Sequence, residues 1–228
     1  MIAHGSYRDW RVLPYEPVLA AHYPESLVEL LPPRARVLEI GCHDGIVTCY
    51  LARRRPDVTI CGVDINHTAI DAARARALDE GLVNVRFETC DVIADAIGDD
   101  RFDAIVTIRL LTCFPRCDEW RRLLGAIRRL LVADGTWFGI DYLYDPTNDA
   151  YRGRYAAAEE AQWRLGNFQV HSPAGRPLFV AHHHTDGEIA FLSRIFSVRN
   201  VRRFQSLSMH GNRASMFEIV GVKPAEAR

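Results

Sequence analysis

Between residues 36 and 142, short apolar runs alternate with amphipathic stretches. Strands are predicted near 36–40, 59–64, 85–90, 104–109 and 136–142, and helices near 45–55, 67–80 and 118–132. Runs such as Ile60-Cys-Gly-Val and Ala104-Ile-Val-Thr-Ile hold few polar positions, the mark of strands covered on both faces. Strand and helix in alternation therefore predict an α/β fold with a doubly wound, largely parallel sheet. The helix near 67–80 is well signalled: Ile70, Ala73, Ala77 and Leu78 recur on one face and Gly81 stops it. Upstream, residues 17–31 read as mainly helical through Val18, Leu19, Ala20, Leu27, Leu30 and Leu31. Pro24 divides that stretch and Pro32-Pro33 ends it.

After 142 the pattern changes. Residues 143–181 are rich in aromatics, arginine and glycine with no clean period, although Tyr151 to Leu165 could form a helix. So long a stretch between sheet elements reads as a lid or insertion. Thr185 is expected to cap a helix running to about Phe196. Val198–Leu207 and Ser215–Lys223 are apolar runs joined by the hairpin signal His210-Gly-Asn. The chain is thus expected to be a single domain: a helical cap over 1–34, a core over 35–142, a lid over 143–184, and a C-terminal helix and hairpin over 185–228.

Composition narrows the class. With 228 residues, 48% hydrophobic and 25% charged, the chain is a soluble globular protein of ordinary size. It has no 18-residue apolar run, and the N-terminus lacks a secretory apolar core, so no membrane partner and a cytoplasmic location are expected. A net charge of −1 favours no long-range attraction to nucleic acid, and a nucleic-acid partner is not expected. Twenty-seven arginines against the single Lys223 are a compositional bias, with clusters such as Arg53-Arg54-Arg55 read as solvated helix ends. The six cysteines form no C-x-x-C pair and read as free, mostly buried thiols.

The chemistry concentrates at strand ends. Val37-Leu-Glu39-Ile-Gly41-Cys42-His43-Asp-Gly45 is an apolar run, an acid and a glycine-punctuated turn; farther on, Ile60-Cys-Gly-Val-Asp64 ends in a second acid. This is a buried strand, a tight turn under a ligand, a helix, and a carboxylate placed for a ribose diol. A phosphate-cradling loop would need a lysine that this turn lacks, and a G-x-G-x-x-G dinucleotide turn would need glycine where His43 stands.

Glycines at the first and fifth positions, with an acid two residues before the first, resemble motif I of the class I S-adenosylmethionine (SAM)-dependent methyltransferases. Val85-Arg-Phe-Glu-Thr-Cys-Asp91-Val92 is similar to the third strand of that family, Phe102–Arg109 to its fourth, and Leu130–Asp141 to the following helix, turn and fifth strand. The resemblance covers roughly residues 35 to 142, with the motifs in the family order. It implies SAM as cofactor and a seven-stranded sheet of order 3-2-1-4-5-7-6, with the last strand antiparallel and helices on both faces. It also implies site roles: Glu39, Gly41, Cys42, His43 and Gly45 would hold the amino-acid end of SAM, Asp64 and Ile65 the ribose side, Asp91 and Val92 the adenine. His43 departs from the family glycine that lets backbone pass beneath the methionine part. A histidine there can still point outward, so the site is taken as intact.

Arg109 interrupts an apolar run and is placed against the cofactor or an anionic substrate, with a salt bridge as the structural alternative. Methyl transfer is an in-line displacement that needs alignment and, for some acceptors, removal of a proton. Candidate catalytic groups are Asp141, Tyr144, Tyr151 and the triplet His182-His183-His184, His182 and His184 foremost. In an extended segment His182 and His184 share a face, and with no third ligand evident there, no metal is expected. Lid aromatics beside Arg152, Arg154, Arg164 and Arg176 either hold a small acceptor, aromatic or carboxylate-bearing, or pack the lid on its own domain. The leading expectation is methyl transfer to an O or N atom of such a molecule, as in secondary metabolism, by a monomer or homodimer. The alternatives are an RNA or protein methyltransferase, a non-catalytic SAM-binding partner subunit, and aminopropyl transfer, for which the cleft acids are too few.

Overall fold

The computed structural model of the protein describes residues 5–13, 25–95, 101–172, 174–208 and 211–225. The predicted core strands form as β1 (Arg36–Ile40), β2 (Thr59–Asp64), β3 (Val85–Thr89), β4 (Phe102–Ile108) and β5 (Leu131–Tyr142). Between them run α2 (Ile46–Arg54), α3 (His67–Asp79) and α4 (Cys117–Leu130), after a short α1 (Glu25–Leu30). Beyond the core lie α5 (Asp149–Glu160), β6 (Asn167–His171), β7 (Pro177–His182), α6 (Asp186–Leu192), β8 (Ser197–Leu207) and β9 (Arg213–Val222).

The main sheet has seven strands in the order β3-β2-β1-β4-β5-β9-β8. This is the expected topology, renumbered because β6 and β7 pair with each other in a separate two-stranded sheet. β1 lies parallel to β2 and to β4, with Val37 opposite both Ile60 and Ala104. β9 runs antiparallel to β5 and to β8. Strand order therefore reverses between β1 and β4, where an open α/β sheet has its ligand crevice.

Alternation along the strands explains the two-sided core. Leu38, Ile105 and Trp137 pack with Trp120, Leu123 and Ile127 of α4 on one face, whereas Val37, Val106 and Phe138 pack with Val47 and Leu51 of α2 on the other. A third cluster joins Ile70, Ala73 and Ala77 of α3 to Phe87 of β3. Leu78, expected on that apolar face, is 81% exposed, because one further step around the helix carries it past the contact stripe.

Element ends differ most from expectation at α5, which closes at Glu160 and not near Leu165, at β5 and at α6. β5 begins at Leu131, but its pairing with β4 skips from Phe102↔Leu131 to Ala104↔Thr136, and Asp134 in the bulge has φ +59. The capped helix α6 stops at Leu192, not near Phe196; Thr185 and Glu188 do form its capping box. The expected helical stretch 17–31 falls largely outside the described residues, Pro24 included, as does His210 of the hairpin signal. Among the described residues no helix is long and apolar enough to cross a membrane.

An N-terminal 3₁₀ segment, Tyr7–Val12, lies across the crevice end of the sheet. Tyr7 stacks on Phe114 at 4.8 Å, and Asn66 donates its side-chain amide to the Trp10 and Leu13 carbonyls at 3.2 and 2.9 Å.

Candidate active site

After β1 the chain turns through Gly41 (φ +74), His43 (φ +51) and Gly45 (φ +71). The bend is pinned by the Gly41 and Cys42 N–H groups donating to the Val63 carbonyl at 2.8 and 3.0 Å. The glycines serve packing as well as ligand access. A Cβ at Gly41 would lie 2.6 Å from Leu110 Cδ1, and one at Gly45 2.7 Å from Phe87 Cζ. His43 adopts left-handed backbone without glycine, and its ring sits 3.5 Å from Asp44, which Arg76 of α3 also holds at 2.9 Å.

Asp64, at the tip of β2, accepts the His43 N–H at 3.0 Å on one oxygen and the Asn66 N–H at 2.9 Å on the other. Each oxygen keeps lone-pair capacity for a ribose hydroxyl. Glu39 is buried and accepts the Thr48 hydroxyl; burial, with Asp64 and Asp44 nearby, pushes its carboxyl up to about 8.

Beside this turn is a cleft of about 240 Å³ lined by Arg11, Ile65, His67, Thr89, Cys90, Asp91 and Asp95. Ile65 and Asp91 lie here, whereas Val92 is buried in the core. The Asp91 carboxylate accepts the Tyr7 hydroxyl at 2.9 and 3.1 Å and has Arg11 at 3.6 Å. Tyr7 and Arg11 escape sequence reasoning, because their partner is 84 and 80 residues away and only the capping box Ser6-x-x-Asp9 marks the segment.

A second pocket, about 60 Å³ by the same measure as the cleft, opens under the lid. Its walls include Trp10, Tyr142, Tyr151, Phe168 and Phe179, with Arg109, Arg154 and His183. Arg109, expected against the cofactor or an anionic substrate, lines this pocket. Its backbone turns at φ +56, and its guanidinium donates to the Leu207 carbonyl at 2.8 Å and lies over the Tyr142 ring at 5.8 Å. Arg154 of α5 lies over Tyr151 and Phe168 at 5.4 and 5.9 Å. Arg152 and Arg164 are engaged with Asp149 and Glu188.

The histidine run is sorted by strand alternation. His183 faces the pocket, stacks on Tyr142 at 4.8 Å, and shares a 2.6 Å hydrogen bond between Nδ1 and the Tyr155 hydroxyl. Burial holds its pKa well below the ordinary imidazole range, so the ring is neutral. His182 and His184, the expected catalytic pair, turn to the opposite face toward Asn167, Glu188 and Trp120. The parity is set where Leu143 and His184 form a bridge that docks the lid on the main sheet. Tyr144 also stands away from the pocket lining, donating to Glu159 at 3.0 Å. Asp141 lies beneath the Leu111–Cys113 turn, accepting the Thr112 N–H at 3.3 Å, and burial pushes its carboxyl up to about 7.

Gly166 supports His183 directly. The His183 N–H donates to the Gly166 carbonyl at 2.9 Å, and a Cβ on Gly166 (φ +88) would fall far inside van der Waals contact distance of the His183 carbonyl oxygen. Gly166→Ala is expected to lower unfolding free energy by about 3 kcal/mol, from the left-handed backbone and the backbone overlap together. Urea denaturation measures this, and a loss below about 1 kcal/mol would mean the lid backbone adjusts freely.

A sheet wound 3-2-1-4-5, closed by an antiparallel last strand, with a glycine bend and acid-tipped strands at its reversal point, defines a Rossmann-like methyltransferase fold. Comparisons with known proteins agree. Residues 37–135 match the family model described as a methyltransferase domain. A SAM-dependent methyltransferase from Methanosarcina mazei superposes with a TM-score of 0.82 at 26% identity, covering 91% of this chain and 100% of that one. Trans-aconitate 2-methyltransferase of Variovorax paradoxus is 30% identical over 164 residues, 71% of this chain and 57% of its own. Fatty-acid O-methyltransferase of Mycolicibacterium smegmatis is 35% identical over 106 residues, 46% of this chain. The chain spans 57% and 36% of the lengths of these two curated relatives. It belongs to the class I SAM-dependent methyltransferase family, whose cofactor is SAM.

Proposed function

We propose that the protein is an enzyme that methylates an oxygen of a planar, anionic small molecule held in the lid pocket. The observation that carries this is the pocket itself, where Arg109 and Arg154 stand among aromatic walls. Flat rings stack on such walls, and guanidinium groups favour carboxylates or acidic hydroxyls. Two relatives are named for acids, a fatty acid and trans-aconitate. A tRNA methyltransferase of Pseudomonas aeruginosa shares the core as well, but a net charge of −1 supplies little of the attraction a polyanion needs. Six free thiols suit a reducing compartment, and we place the enzyme in the cytoplasm.

The residues present suit SAM. Asp64 has acceptor capacity for the ribose diol, Ile65 and Asp91 line a cleft for the adenine, and buried Glu39 lacks only a cation to favour its charged form. Bound SAM supplies a methyl group made electrophilic by its sulfonium. The chain aligns the acceptor oxygen through Arg109, Arg154 and the aromatic walls. With Nδ1–H donating to Tyr155, His183 keeps its Nε2 lone pair to accept the proton of an acidic acceptor hydroxyl, the kind its burial-lowered pKa suits.

The test is incubation with labelled SAM and a panel of aromatic and unsaturated acids, with tRNA as a separate arm. Label in the small-molecule acids supports the reading; label in the tRNA arm, or in no acceptor, overturns it.

Glu39 makes cofactor binding depend on pH. Burial raises its pKa from 4.5 to about 8 in the folded protein, so between those values folding takes up a proton and this group's contribution to stability falls as pH rises. A SAM ammonium near Glu39 restores the charged form, so binding releases a proton. SAM affinity should therefore rise from pH 6 toward pH 8, by up to about tenfold per unit, and level off above. Calorimetry in buffers of different ionisation heat measures the released proton, and Glu39→Gln should flatten the profile.

A further inference from the structure

On the face of β7 turned away from the lid pocket, His182 and His184 meet Glu188 of α6. One ring nitrogen of each histidine and one carboxylate oxygen all lie within 4.8 Å of one another. Both histidines are buried, at 0% and 1% exposure.

The hydrogen-bond network assigns the protons. Asn167 donates its side-chain N–H to the Pro115 carbonyl at 3.3 Å, which orients the amide and leaves its oxygen 2.7 Å from His182 Nδ1. That oxygen can only accept, so the His182 proton sits on Nδ1. His182 Nε2 then presents a lone pair to Glu188 Oε2 at 3.1 Å, lone pair against carboxylate. Two arrangements relieve this: an imidazolium in a dry interior, or a cation between the two atoms.

His184 decides between them. Neither of its buried ring nitrogens has a hydrogen-bond partner among the described residues. The ring is boxed by Trp120, Phe217 and His182 at centroid distances of 6.1, 5.7 and 4.7 Å. Two unsatisfied buried nitrogens are costly, and a metal bond satisfies one of them. Glu188 is meanwhile held in place: Thr185 donates its N–H and hydroxyl to Oε2 at 2.8 and 3.0 Å and Arg164 engages Oε1, so an ion on Oε2 would replace the Thr185 hydroxyl there.

We propose that His182, His184 and Glu188 bind one divalent transition-metal ion of the zinc class. Asn167 is the outer partner that fixes the His182 tautomer, as ligating histidines ordinarily require. Two neutral imidazoles and a carboxylate are a common zinc donor set, with a fourth position open to water on the partly exposed Glu188 side. Tetrahedral zinc brings ligand atoms to about 3.4 Å apart. The His182–Glu188 pair is already near that spacing, and the His184 nitrogen lies within 4.8 Å of both. Arg164 offsets part of the carboxylate charge, so the ion is exchangeable rather than locked in. The metal ties the end of β7 to α6 on either side of His183, behind the pocket; its binding does not depend on the acceptor proposed above.

The experiment uses tag-free full-length protein, stripped with chelator and titrated with Zn(II) and, separately, Co(II). Expected are one ion per chain, the visible absorption of low-coordinate cobalt, and a zinc-dependent rise in Tm. His184→Ala and Glu188→Gln should each weaken binding by more than the 10- to 100-fold lost with an outer partner, and Asn167→Ala by about 10- to 100-fold. His171→Ala, on the exposed end of β6, should change nothing. Absence of stoichiometric binding to wild-type protein overturns the site even if the variants misfold. So does binding that survives both ligand substitutions.

Discussion

His183→Phe is expected to lower kcat for methyl transfer by about 10²- to 10⁴-fold, the range for removing a positioned proton acceptor. Phenylalanine keeps the ring contacts with Tyr142, Tyr151 and Phe168, at centroid distances of 4.8, 4.7 and 4.7 Å in the wild type, but offers no nitrogen to the acceptor. SAM affinity should change by less than about threefold, because His183 lies in the lid pocket and not in the cleft of Ile65 and Asp91. Tyr155→Phe should cost about tenfold, since one lost buried hydrogen bond of 1–2 kcal/mol leaves the imidazole less firmly oriented. Single-turnover kinetics with a productive acceptor separates these effects from product release. An undiminished rate in His183→Phe would remove the residue from the chemistry and leave an acceptor already ionised between the arginines.

Asp64→Ala should weaken SAM and its demethylated product by about 10²- to 10⁴-fold. Two hydroxyl hydrogen bonds to a charged acceptor are worth about 1.5–3 kcal/mol each. The same change strips the His43 and Asn66 N–H groups of their acceptor and loosens the turn before α3. Asp64→Asn should fall between, because the amide keeps one acceptor oxygen but sets a donor against one of those N–H groups. Calorimetry gives the affinities, and Tm shows how much of the loss is folding. Near-wild-type affinity in Asp64→Ala would mean the strand tip is structural and the cofactor lies elsewhere.

The parts of the site that could be read without coordinates are those where backbone geometry dictates residue type. Gly41 and Gly45 stand where φ is positive and a side chain would strike Leu110 or Phe87. Asp64 ends an apolar strand, where a carboxylate has no packing reason to be. The core strands read well for a related reason: burial on both faces demands unbroken apolar runs, and such runs are local in sequence. The lid strands β6 and β7 were not legible. They are five and six residues long, β6 is mostly polar, and the two pair only with each other, so no longer-range pattern marks them.

What the sequence determined by itself is the α/β topology, the order of its motifs, and the strand-tip acids facing the crevice, because each follows from backbone requirements within a few residues. Only the tertiary structure decided which histidine of the run meets the pocket, that Tyr7 closes on Asp91, and that Glu188 joins His182 and His184. A strand's side chains alternate strictly, so shifting the docked position of β7 by one residue would exchange His183 with its neighbours. That position is set by the Leu143–His184 bridge and the glycine at 166, contacts between segments that carry no signal of each other in the chain.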